Sequence, residues 1–143
     1  MAVRFAVQKS IWAFSRIKED FMAAKAYTVL VGLLLLVVGL LGFMGRVPLH
    51  LQHNLFHTVS GIVSLLVALA WPQHARTFCR VFGGIYVGLA LLGFAGVGDI
   101  GPLHFNLNAT PVLYVHSAVG IAGLLAGFVG GRKSQTTQLK AAA

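Results

Sequence analysis

Histidine is the residue type in this 143-residue chain best suited to chemistry: there are six, against one cysteine and three acidic residues. Neutral imidazole ligates transition metals and haem iron. Five of the six, His50, His53, His57, His104 and His116, fall in or just after two polar turns. His57 is followed by Gly61, Ser64 and Ala68, and His116 by Gly120, Gly123 and Gly127, so each heads a stripe of small residues on one helix face. Three chemistries compete for this pair. Each imidazole can tie loop to helix through a backbone carbonyl, Asn54 or Tyr114, because a polar side chain in a bilayer requires a partner. One or both can ligate a haem or a chlorophyll-like pigment, the glycine four residues on leaving room for a macrocycle. Zinc or copper at an outer histidine cluster, with His50, His53 and His104 as the candidate ligands, is the third; no Cys or Glu joins that set, and its spacing matches no defined motif.

The remaining side chains exclude more than they offer. There is no Ser-His-Asp set, no pair of carboxylates and no phosphate loop, so no enzymatic activity is expected. The apolar stretches carry no Asp, Glu, Lys or Arg at mid-depth, which argues against an ion-coupled transporter. Cys79 stands alone and reads as a small apolar residue near a helix start, with no intramolecular disulfide to form.

The elements that must position the histidines are repeated. Pro48-Leu49-His50-Leu51-Gln52-His53-Asn54 recurs as Pro102-Leu103-His104-Phe105-Asn106-Leu107-Asn108. Leu40-Leu41-Gly42-Phe43 answers Leu91-Leu92-Gly93-Phe94, and His57-Thr58-Val59-Ser60-Gly61-Ile62 answers His116-Ser117-Ala118-Val119-Gly120-Ile121. The unit is helix, polar turn, histidine-headed helix, and the offset between copies grows from 51 to 54 to 59 residues, which places the insertions in loops. Both copies run in the same sense, so the pseudo-two-fold axis lies along the membrane normal and relates His57 to His116.

With 57% hydrophobic residues, 10% charged residues and a mean hydropathy of +0.83, the chain belongs in a bilayer. The expected fold is an all-α four-helix membrane bundle built from a duplicated helical hairpin, with spans at about 26–45, 55–71, 80–97 and 111–130, each near the length a helix needs to cross the hydrocarbon core. Residues 1–25 are expected to form a separate cytoplasmic amphipathic helix: Val3, Val7, Ile11, Phe14, Ile17 and Phe21 recur at helical spacing opposite Lys9, Arg16 and Asp20. Such a helix lies in the membrane interface or packs on a partner protein. Residues 132–143 read as a disordered cytoplasmic tail. The net charge of +8 is a topology signal, not a nucleic-acid signal. An inside N-terminus puts ten of the eleven basic residues in the cytoplasm and leaves only Arg46 outside.

His53-Asn54-Leu55-Phe56-His57 with Gly61 resembles a bacterial integral membrane family catalogued as domain of unknown function 4383. The resemblance extends from about residue 26 to 131, through Gly84-Ile85-Tyr86 and Leu107-Asn108-Ala109-Thr110. It implies four membrane helices with an Asn-x-x-His-x-x-x-Gly motif opening the second and fourth. Asn54, His57 and Gly61 match the first motif; His116 and Gly120 match the second, where Leu113 stands in place of Asn and Val112 in place of an acidic neighbour. Asn108 in the preceding loop is the residue left to supply the missing amide. The reading favoured by these features is a non-enzymatic accessory or scaffold subunit of a bacterial inner-membrane assembly, in contact with lipid and other membrane subunits. A His57/His116 cofactor protein is the second class and an outer histidine metal site the third.

Topology yields the first test. Residues near Lys18, Arg76 and Lys133 are expected to be cytoplasmic, and His50 and His104 extracytoplasmic. Single-cysteine labelling in a Cys79-free background checks this, and labelling of position 104 only from the cytoplasmic side contradicts it.

Overall fold

Runs of Leu, Val, Ala and Ile become four helices in the computed structural model: α1 (Ala2–Phe43), α2 (Leu51–Ala70), α3 (Ala75–Phe94) and α4 (Thr110–Phe128), with a 3-10 turn at Pro72–His74 before α3. The structure describes the backbone of residues 2–100, 106, 107 and 109–128, and side chains at Val7 and from residue 22 onward. The expected tail at 132–143 lies outside the described residues. Four segments, Met22–Phe43, Leu51–Ala70, Pro72–Phe94 and Thr110–Phe128, are long and apolar enough to span a membrane, and the protein is an integral membrane protein.

The helix expected at residues 3–22 does not stand apart. It continues into the first span as one helix of 42 residues. No Gly or Pro interrupts the chain before Gly32, and Met22-Ala23-Ala24-Lys25-Ala26 is made largely of strong helix formers, so nothing local ends the hydrogen-bond ladder. The second span likewise begins at Leu51, a full turn before the expected start.

Burial is inverted relative to a soluble domain. Large apolar side chains such as Leu30, Leu55, Leu69, Val81, Leu91, Ile121 and Leu125 face outward, while Ala24, Thr28, Ser64, Ala68, Ala75 and Cys79 are fully enclosed. Lipid tails are as apolar as leucine, so helices gain by close van der Waals approach through small residues instead of by hiding large ones. Accordingly α1 lies along α2 and α3 along α4, and the two hairpins meet mainly through α1 against α3 and α4.

Each hairpin has a close approach of backbone on backbone, and the two are alike. A Cβ on Gly61 would stand 2.7 Å from the Leu36 nitrogen and 2.9 Å from the Gly32 oxygen; one on Gly120 would stand 2.7 Å from the Val87 nitrogen and 3.0 Å from the Gly83 oxygen. The first helix of each hairpin ends alike. Gly45 (φ +70°) and Gly96 (φ +86°) take the left-handed conformation. Arg46 N donates to Leu41 O at 2.9 Å and Gly45 N to Gly42 O at 3.0 Å; Val97 N donates to Leu92 O and Gly96 N to Gly93 O, both at 3.0 Å. These are paired Schellman caps.

The hairpins meet around the pseudo-two-fold. Residues 51 apart share core clusters: Val31 with Phe82 and Leu35 with Tyr86 in one, and Ala24 with Ala75 in another, which Cys79 joins. Thr28 Oγ1 lies 3.4 Å from Cys79 Sγ, so Cys79 sits on the axis and not merely at a helix start. Tyr27 binds α1 to α4 by donating to Val119 O at 2.8 Å. At the far end, Arg80 Nε donates to Gly127 O at 2.8 Å, and its guanidinium lies 4.8 Å from the Phe128 ring centre, capping α4.

Not every glycine is buried. Gly84 and Gly88 have no neighbour within 4 Å of a built Cβ, whereas Gly83, Gly120 and Gly127 carry the α3–α4 seam with partners at 2.7 Å, and Gly123 meets Tyr27 of α1 at 2.7 Å and Gly83 at 3.1 Å. Gly120→Leu is therefore expected to destabilise the bundle by about 1–3 kcal/mol, the usual size of an overpacking penalty. Gly88→Leu is expected to change stability by no more than about 0.5 kcal/mol. Thermal unfolding in detergent separates the two; equal losses contradict this seam.

Candidate metal centre

Starting α2 at Leu51 puts His53 and His57 one turn apart on the same helix face, and each of His57 and His116 is the seventh residue of its helix. The hairpin packing then points all three inward. Potential ligand atoms of His53, His57 and His116 lie within 4.8 Å of one another, and the three side chains are 4%, 9% and 6% exposed. His53 meets His57 edge-on with ring centres 4.4 Å apart and stands 6.3 Å from His116.

The floor of this cluster is aromatic. Tyr86 on α3 meets His116 at 5.0 Å and 88°, and stacks on Phe82 at 4.5 Å, which stacks on Phe78 at 5.0 Å. The Tyr86 hydroxyl and the Nδ1 atoms of His57 and His116 are buried and have no hydrogen-bond partner among the described residues. A buried polar atom without a partner costs about 1–3 kcal/mol unless something occupies the space beside it. A ligand shared by the imidazoles is the occupant this geometry suits.

The residues singled out from sequence are redistributed. His57 and His116 come together as the pseudo-symmetry expects, but the third member is His53, which sequence spacing had grouped with His50 and His104. His50 sits at the N-cap of α2 and is exposed, and His104 and Asn108 lie outside the described residues. His53 was missed as a partner of His57 because the second span was expected to begin at residue 55, leaving His53 in the turn. The i, i+4 spacing was the available signal.

Asn54 is not the partner of His57. It is buried against Gly42, its Nδ2 donates weakly to Leu49 O at 3.4 Å, and its Oδ1 has no partner among the described residues. Leu113 takes the same place over Gly93 in the second hairpin. The polar tie proposed for the imidazoles is thus absent at both Nδ1 atoms, and Tyr114 points outward, 66% exposed. Gly61 and Gly120 likewise leave no open slot, since the Leu36 and Val87 backbones fill the space beside them.

A family model described as a domain of unknown function (DUF4383) matches residues 45–129, which contain all three clustered histidines. No curated protein and no solved structure matches the chain.

The pairing of Asn54 with Leu113 gives a direct test. Asn54→Leu exchanges an unmet acceptor for methyl groups of similar volume, a change that is near neutral or stabilising. Its melting temperature in detergent is expected to equal or exceed that of the parent. Asn54→Ala opens a void beside Gly42 and is expected to cost about 1 kcal/mol or more. A lower melting temperature for the leucine variant than for the alanine variant contradicts this assignment.

Proposed function

The chain belongs to the DUF4383 family, and for it we propose the function of a metal-binding integral membrane protein. In this reading His53, His57 and His116 hold one first-row transition ion at the end of the bundle away from Arg76 and Arg80. The observation that carries it is the convergence of three buried imidazoles, with potential ligand atoms within 4.8 Å, from two helices that barely approach each other otherwise. A metal–imidazole bond of about 2.0–2.1 Å requires three ligand atoms about 3.3–3.5 Å apart, so closing the cluster on an ion takes movements on the order of 1 Å.

An ion fits this space better than a macrocycle. The glycines that would flank a haem or pigment are occupied by neighbouring backbone, and His53 lies edge-on against His57 where a ring plane would need to pass. Holding the ion, not catalysis, is the proposed role. Asp99 is the sole carboxylate between Met22 and Phe128, its Oδ1 accepts from Asn106 N in an exposed loop, and no carboxylate joins the cluster among the described residues. Zinc and copper both suit imidazole ligands.

One observation favours a second reading, that of an accessory subunit docked through α3. Gly84 and Gly88, four apart, face outward with open space beside them, the spacing through which membrane helices pack.

Metal analysis tests the main reading. Protein purified without chelators is expected to carry about one transition ion per chain. Replacing His53, His57 or His116 by Gln is expected to remove it, while His50→Gln retains it. Metal content that is unchanged in all three cluster variants overturns the assignment.

A further inference from the structure

We infer that the three-histidine cluster selects a monovalent cuprous ion over divalent ions, an inference that rests on the metal-binding reading above. Its basis is charge. The ligand set is His53, His57 and His116, all neutral when they coordinate, so a bound ion keeps its full charge in a site whose side chains are 4–9% exposed. The electrostatic cost of burying an ion rises with the square of its charge, so a divalent ion in this setting costs about four times as much to desolvate as a monovalent one.

Protein sites for divalent ions offset that cost with anions. Zinc sites use thiolates or carboxylates, or back their histidines with a carboxylate or carbonyl acceptor. Among the described residues no thiolate or carboxylate joins this cluster. The only acidic residue from Met22 to Phe128 is Asp99, engaged with Asn106 N. The only cysteine, Cys79, lies against Thr28 and the Ala24 carbonyl, about 10 Å along α3 from Tyr86 at the cluster floor. The Nδ1 atoms of His57 and His116 meet no acceptor among the described residues.

Coordination number points the same way. Three imidazoles complete a trigonal cuprous site, whereas zinc prefers four ligands and would have to bring a water or an anion into the bundle.

The full chain in detergent, stripped with chelator, tests this by competition. It is titrated anaerobically with Cu(I) in the presence of bicinchoninate, and separately with Zn(II) in the presence of a chromogenic zinc chelator. One equivalent of Cu(I) per chain is expected to be withheld from bicinchoninate, and Zn(II) to remain with its chelator. The bound copper is expected to be silent in electron paramagnetic resonance and to show a three-nitrogen shell by X-ray absorption. His53→Gln, His57→Gln and His116→Gln are each expected to weaken Cu(I) retention by about 100-fold or more, since loss of even an outer-shell partner costs about 10- to 100-fold. Circular dichroism of each variant reports folding, and the wild-type titration is decisive without them. Zn(II) held as tightly as Cu(I), with the same dependence on the three histidines, overturns the cuprous inference and leaves the metal site standing. Retention of neither metal by the wild-type chain overturns both.

Discussion

The architecture depends on two places where helix backbones touch. At Gly61 the second helix of the first hairpin meets Leu36 and Gly32, and at Gly120 the fourth helix meets Val87 and Gly83, each with no space for a single added carbon. In lipid there is no hydrophobic gain from hiding leucines between helices, so these close contacts, and the dispersion energy they collect, are what hold each hairpin together. Everything at the turn end follows from them. They set the rotation of α2 and α4, and rotation decides that His57 and His116, one turn above those glycines, point inward.

On this nearly symmetric frame the chemistry is asymmetric. The caps at Gly45 and Gly96 and the hydroxyl bonds of Thr58 to Asn54 O and Ser117 to Leu113 O repeat closely. The divergences sit at the turn end of the axis. His53 has Val112 as its counterpart, and Asn54 has Leu113. A two-fold pair supplies only two imidazoles; the additional histidine in the first copy turns the symmetric pair into a cluster of three. The second copy meanwhile carries the longer loop, in which Asp99 accepts from Asn106 N and Leu107 is buried beside Gly93.

The site also has a mechanical consequence. Helices pair closely within each hairpin, while α2 and α4 barely approach each other. In the proposed metal-binding reading, an ion held by two imidazoles of α2 and one of α4 would add a cross-link where the scaffold has few contacts, and its binding free energy would become stability of the hairpin–hairpin interface. The Thr28–Cys79 contact and the Tyr27–Val119 hydrogen bond hold the same interface on the other side of the core.

Much of this was legible in the residue order. Composition and the length of the apolar runs require four membrane helices, because unpaired backbone groups are not tolerated in hydrocarbon and helices satisfy them internally. The repeat of Leu-Gly-Phe, the polar turn and the His-x-x-x-Gly segment required two like hairpins and a kinship of His57 with His116. Local pattern could not say where the helices begin. The continuity of α1 from Ala2 follows from the absence of any helix breaker, yet amphipathic periodicity in residues 3–22 suggested a separate element. The start of α2 at Leu51 made His53 a neighbour of His57, although its polar surroundings read as a turn. Nor does a glycine reveal its surroundings: Gly83 and Gly84 are adjacent, one under the backbone of α4 and the other open. Sequence alone determined the number, sense and duplication of the helices, since those depend on hydrophobicity and periodicity. The tertiary structure alone decided that His53, His57 and His116 converge while Asn54 turns away to Gly42, because convergence depends on how far each helix rotates to let its glycines touch the next backbone.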